Sequence, residues 1–116
     1  MRTIEAKEGS QINNLGKQYE KNATEVTFDF TAIATDHPTA VYKLYHKRNG
    51  DEAAYEVESF VVVEGAGVWL VDDKDTAVCG YGEAEVVIED EDYRKKSVTY
   101  KTLVMDSITS QRGSGT

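Results

Sequence analysis

Apolar and polar residues alternate with a period of two over most of the chain, the spacing that turns every second side chain of a strand toward a core. Val26, Phe28, Phe30 and Ala32 alternate with Thr27, Asp29 and Thr31, which predicts a half-buried strand. Ala40 to Arg48 continues in the same way through Val41, Tyr42, Leu44 and Tyr45, and Asn49-Gly50 follows. Asn-Gly supplies two positive φ angles, so the pattern predicts a type I′ hairpin into Ala53 to Val57. Phe60 to Val63 and Val68 to Val71, either side of a Gly65-Ala66-Gly67 turn, predict a second hairpin. Ala84, Val86 and Ile88 then alternate with Glu83, Glu85, Val87 and Glu89, and Ser97 to Met105 is expected to pair back on them beyond the acidic turn Glu89 to Asp92.

One stretch breaks the period. Asp72 to Val78 is acidic at its front and stops before Gly80, which predicts a single helical turn with an Asp cap, crossing between sheets. With one proline and no longer helical period, the pattern is that of an all-β fold, an antiparallel β-sandwich of seven or eight strands with one short helical turn. Residues 1–106 read as one domain, and residues 107–116, small, polar and rich in Gly and Ser, as a flexible tail or the start of a linker.

Composition narrows the functions. At 116 residues, 40% hydrophobic and 29% charged, the chain can bury a core without disulfide or metal support. A net charge of −8 opposes binding to nucleic acid or to an anionic membrane surface. Apolar runs such as Phe60 to Val63 are far shorter than the roughly 20 residues of a membrane span, and Met1-Arg2-Thr3-Ile4 opens no signal-peptide core. With the single Cys79 unable to close an internal disulfide, synthesis in the cytoplasm is the expectation.

Candidate chemistry is sparse. His37 and His46 are the only bases of their kind, and no sequence neighbour pairs either with Cys79, which reads as a small apolar side chain. No catalytic residues and no cofactor are therefore expected. Asp72, Asp73 and Asp75, and Glu89 to Asp92, could hold calcium, but they lack the central glycine and closing glutamate of a calcium loop. They read better as a helix cap and a solvated hairpin tip, with no metal. Trp69 and Tyr81, among seven tyrosines, could stack on a glycan, although a lone Trp in a small sandwich is more often a core anchor.

The order "INNLGKQYEKNATEVTFDF", "KRNGDEAAYEV", "VWLVDDKDTAVCGYGEAEVVI" and "KSVTYKTLVMDSI" resembles the N-terminal domains of tail and baseplate proteins of phages and prophages of Gram-positive bacteria, similar to the baseplate upper protein family. The resemblance runs from residue 1 to about 108. Its characteristic pieces are Leu15-Gly16-Lys17, Asp75-Thr76-Ala77 leading to Gly80-Tyr81-Gly82-Glu83, and Lys96-Ser97 with Tyr100 and Thr102. It implies an immunoglobulin-like sandwich that serves as a virion structural part in the tail, without enzymatic activity. Its partners would be other tail or baseplate proteins and copies of itself in the particle, the chain alone being monomeric or weakly associating. On that reading residues 7–24 are an irregular edge or arm for docking on a neighbouring subunit, through Ile12, Asn13, Asn14, Leu15, Lys17 and Gln18. The alternatives are an integral edge strand for the arm, and for the whole chain a carbohydrate-binding or adhesin sandwich that uses Trp69 and tyrosines.

Overall fold

The computed structural model describes residues 1–109. Its strands are β1 (Arg2–Glu5), β2 (Ile12–Lys17), β3 (Thr24–Asp29), β4 (Val41–Lys47), β5 (Tyr55–Glu56), β6 (Phe60–Val63), β7 (Ala66–Leu70), β8 (Gly80–Asp90), β9 (Tyr93–Lys96) and β10 (Tyr100–Met105). Two short helices, α1 (Thr31–Asp36) and α2 (Asp73–Thr76), lie between them. One sheet runs β1-β3-β7-β6 and the other β2-β10-β8-β4-β5, with β9 beside the far half of β8. The all-β sandwich expected from the alternation is the architecture found.

The period-two pattern places the core. Val26 and Phe28 of β3, Trp69 of β7, Leu44 of β4, Ala84, Val86 and Ile88 of β8, and Tyr100 and Val104 of β10 all turn into the space between the sheets and are buried. Phe28 stacks parallel to Phe30 and meets Phe60 and Tyr100 edge-on, with ring centroids 5.2–5.8 Å apart, within the range of favourable aromatic pairs. No helix among the described residues is long and apolar enough to cross a membrane.

Several local expectations are corrected. The strand expected to reach Ala32 ends at Asp29, whose carboxylate accepts from the Thr31 amide at 3.0 Å and the Thr31 hydroxyl at 2.6 Å. That short-range capture turns the chain into α1 instead of extending the ladder. The turn at Arg48–Asp51 closes with the Asp51 amide donating to the Arg48 carbonyl at 3.0 Å, but only Gly50 takes a positive φ there, the requirement of a type II turn. Glu64 and Gly65 are the consecutive positive-φ pair, at 51° and 85°, so the I′-like two-residue hairpin joins β6 to β7.

The final hairpin is longer than expected. β9 pairs with β8 from Val87↔Lys96 to Asp90↔Tyr93, and after a break at Ser97 to Thr99 β10 pairs with the near half, from Tyr100↔Ala84 to Val104↔Gly80. At the break the Ser97 hydroxyl accepts from the Val86 amide, 2.9 Å, and the Ser97 amide donates to the Val86 carbonyl, 2.8 Å.

The N-terminal segment differs most from expectation. β1 pairs parallel with β3 and β2 pairs parallel with β10, so residues 1–17 contribute one strand to each sheet. The tail expected at residues 107–116 falls largely on residues 110–116, which lie outside the described part of the chain.

Candidate functional site

The polar residues that could do chemistry converge in the core. α2 is capped by Asp72, whose carboxylate accepts from the Asp73 amide at 2.6 Å, while Asp75 accepts in return from the Asp72 amide at 2.9 Å, a capping box. The box aims Asp75 inward, where Trp69 Nε1–H donates to its Oδ2 across 3.0 Å and the Tyr55 hydroxyl donates to its Oδ1. Because that hydroxyl has one proton, its oxygen accepts from His46, whose Nδ1 lies 2.8 Å away, so the imidazole carries its proton on Nδ1. Asp75 and His46 are 2% and 1% exposed.

Burial pushes the Asp75 carboxyl up, but His46, whose Nδ1 lies 3.4 Å from its Oδ1, and the hydrogen bonds given by Tyr55, the Asp72 amide and Trp69 together outweigh it and hold it below the usual carboxylate range. Burial, and then the Asp75 carboxylate beside it, push the Tyr55 hydroxyl far up. Lys74 Nζ sits 4.3 Å and Arg48 Cζ 5.2 Å from the centre of the Tyr55 ring, and Arg48 is fixed by Asp51 at 2.8 Å. The cleft beside Tyr55 and Asp75 has a volume of about 80 Å³, room for two or three waters. A charged carboxylate that accepts from several donors, a phenol that stays protonated and a buried imidazole together brace α2 against β4, β5 and β7.

The other candidates are scattered. His37 stacks on Tyr93 with ring centroids 3.8 Å apart, and its Nδ1 lies 3.9 Å from Asp90 Oδ2. Cys79 is half-buried against the core. Asp72, Asp73 and Asp75 form the cap and brace of α2, while Glu89 is held by Arg94 at 2.9 Å and Asp90 by the Thr39 hydroxyl at 2.9 Å.

The proposed docking residues are only partly on the surface. Leu15 is fully buried and belongs to the core. Asn13 is 3% exposed, its Oδ1 accepting from the Lys7 amide at 2.7 Å and its Nδ2 donating to the Lys7 and Lys101 carbonyls at 2.9 and 2.8 Å. Gln18 is half-buried and donates to the Ala77 carbonyl at 2.9 Å. The segment is therefore an edge strand integral to this domain and not a free arm, because the inward side chains of Asn13 and Leu15 are spent on the chain's own core. Ile12 and Lys17 stay exposed and Asn14 half-exposed.

Trp69, 1% exposed, is likewise no glycan platform. Tyr81, 65% exposed, projects from β8 on the outer face of its sheet, where Ile12, Glu83 and Lys101 line a broad, shallow depression with it. Leu103, opposite Tyr81, and Met105 extend that face. The signal for this patch was present in the sequence as the outward parity of Ile12, Tyr81, Leu103 and Met105, but only the register sets them side by side.

No protein-family model matches the chain, and no curated protein does. Among solved structures it is similar to the N-terminal domain of phage TP901-1 ORF48, at 13% identity and a TM-score of 0.46, over 89% of this chain and 94% of that one. No residue role passes across a likeness of that kind.

Proposed function

We propose that the chain is a non-enzymatic structural module of a phage or prophage tail or baseplate, which attaches a tail-tip or receptor-binding protein by its outer surface. The observation that carries the binding reading is a segregation. The polar side chains of His46 and Asp75 are buried, with half-buried Tyr55 bonded to both, whereas apolar and aromatic side chains such as Tyr81, Ile12, Met105, Val61 and Val63 stand on the outer faces. A folded chain with exposed apolar side chains and an inert interior is suited to contact, not turnover. The tail setting rests on the resemblance in sequence pattern. In a symmetric particle weak contacts add up, because each further one is effectively intramolecular. Other tail or baseplate proteins are the partners in this reading, with the chain made in the bacterial cytoplasm and carried in the virion tail.

Mass spectrometry of purified tails from the phage or prophage that encodes the chain tests the reading. The chain is expected in fixed proportion to the other tail proteins. Its absence from the particles overturns the proposal. Capture of a glycan by the free chain, lost in Tyr81→Ala, favours the adhesin reading instead.

A further inference from the structure

Exposed sheet borders invite pairing with other chains, and natural sheets guard them with charges, bulges or brevity. Most borders here are guarded. β1 carries Arg2 and Glu5 in its four residues, and β5 has only two residues. β2 is bulged at Leu15, where the register steps from Leu103↔Asn14 to Val104↔Gly16, and it ends in Lys17. β9 reads Tyr-Arg-Lys-Lys.

β6, four residues long like β1, carries neither charge nor bulge. Phe60–Val63 is apolar on both faces, has no proline or charge, and stays in unbroken register with β7. The two-residue turn and the Leu70 amide, which donates to the Ser59 carbonyl at 3.3 Å, show that Ser59, Val61 and Val63 spend their backbone groups on β7. Phe60 and Val62 therefore aim their N–H and C=O groups outward from the border. On the outer face Val61 and Val63, 59% and 63% exposed, stand beside Val68 and Ala66.

We propose that β6 is a strand-addition site that takes an extended segment of another protein chain, apolar at its centre and carrying Lys or Arg at both ends. The charge around the border selects that occupant. Glu56 and Glu58 precede the strand, Glu64 follows it, and the whole chain carries −8. A second copy is disfavoured by the same charges, since antiparallel pairing of Phe60 with Val62 of a copy sets Glu58 against the copy's Glu64. A partner with basic ends meets this acidic frame, and the outward groups of Phe60 and Val62 supply the main-chain hydrogen bonds. The site is independent of the tail setting, and of whether the chain is found in a particle.

Calorimetric titration of the full chain with synthetic peptides of about nine residues tests it, since strand addition needs a segment of only a few residues. One peptide alternates valine with threonine and has paired lysines at each end. A second has glutamates in place of the lysines. The lysine peptide is expected to bind saturably and more weakly as salt rises, with the glutamate peptide at least about tenfold weaker. Val62→Pro removes one outward N–H without touching the β6–β7 ladder, and Val61→Lys places a charge on the exposed face. Each is expected to weaken the lysine peptide by about tenfold or more. Val61→Lys keeps the test open should Val62→Pro not fold. No binding of the lysine peptide, unchanged binding by a folded Val61→Lys variant, or concentration-dependent dimerisation through β6 overturns the proposal.

Discussion

Trp69 Nε1–H donates to Asp75 Oδ2 across 3.0 Å, joining the most buried aromatic side chain of the core to a charged carboxylate that is itself 2% exposed. The bond ties β7 to α2 and fixes the end of the brace that Tyr55 and His46 complete from β5 and β4. A buried carboxylate is tolerated only while its donors are in place, so the brace makes stability depend on each of them.

Trp69→Ala is expected to cost about 3–5 kcal/mol, through the cavity it leaves and the donor it removes from Asp75. Trp69→Phe keeps most of the ring volume and should cost about 1–3 kcal/mol, mainly the lost hydrogen bond. Urea unfolding followed by circular dichroism separates the two, and equal losses would show that the Asp75 bond contributes nothing.

Asp75 also predicts an acid limb. Its folded-state pKa is depressed, so the stability it contributes is fully present above its unfolded value of about 3.9 and is lost as pH falls through the folded value. Stability should be flat in this respect above about pH 5 and decline below about pH 4. Tyr55→Phe removes one of the donors that lower Asp75, so it should cost about 1–3 kcal/mol near neutral pH and move the acid limb upward. Urea midpoints over a pH series give both readings.

Deleting residues 1–18 is expected to prevent folding, because it removes β1, β2, the buried Leu15 and the satisfied amide of Asn13. Leu15→Ala alone should cost about 2–5 kcal/mol. A cooperative thermal melt of the truncated chain would contradict the integral role of the segment.

Glu64 holds a φ of 51° at the first position of the β6–β7 turn, a conformation that Asn adopts at lower cost. Glu64→Asn should stabilise the domain by up to about 1 kcal/mol, read as a higher denaturation midpoint with an unchanged slope. Gly65→Ala, at φ 85° and with its new Cβ 2.8 Å from Thr31 Cα, should destabilise.

By itself the sequence determined what depends on near neighbours. The alternation in β3 and β8 set which of Val26, Phe28, Val86 and Ile88 face inward, since a strand's side chains change face at every residue whatever the strand pairs with. The acidic front at Asp72 announced the cap of α2, because a helix cap is settled within about one turn of chain. Trp69 as a core anchor was readable for a related reason, size and rarity.

The tertiary structure decided what depends on distant partners. Ile12 and Leu15, three apart with asparagines between them, looked like an exposed patch, yet β2 turns Asn13 and Leu15 inward and Ile12 out. An Asn can take an inward position only because Lys7 and Lys101 offer their backbone groups to it, and Lys101 lies 88 residues away. The positive-φ pair went to Glu64-Gly65 instead of Asn49-Gly50 because Val63 and Ala66 are held in direct register, while β4 and β5 pair only at Tyr45↔Glu56 and His46↔Tyr55, beyond a longer loop. His46, Tyr55 and Asp75 come from a strand, a two-residue border strand and a helical turn. Periodicity reports the face of each residue but not its partner, so a brace assembled from three elements becomes visible only when the sheets close over it.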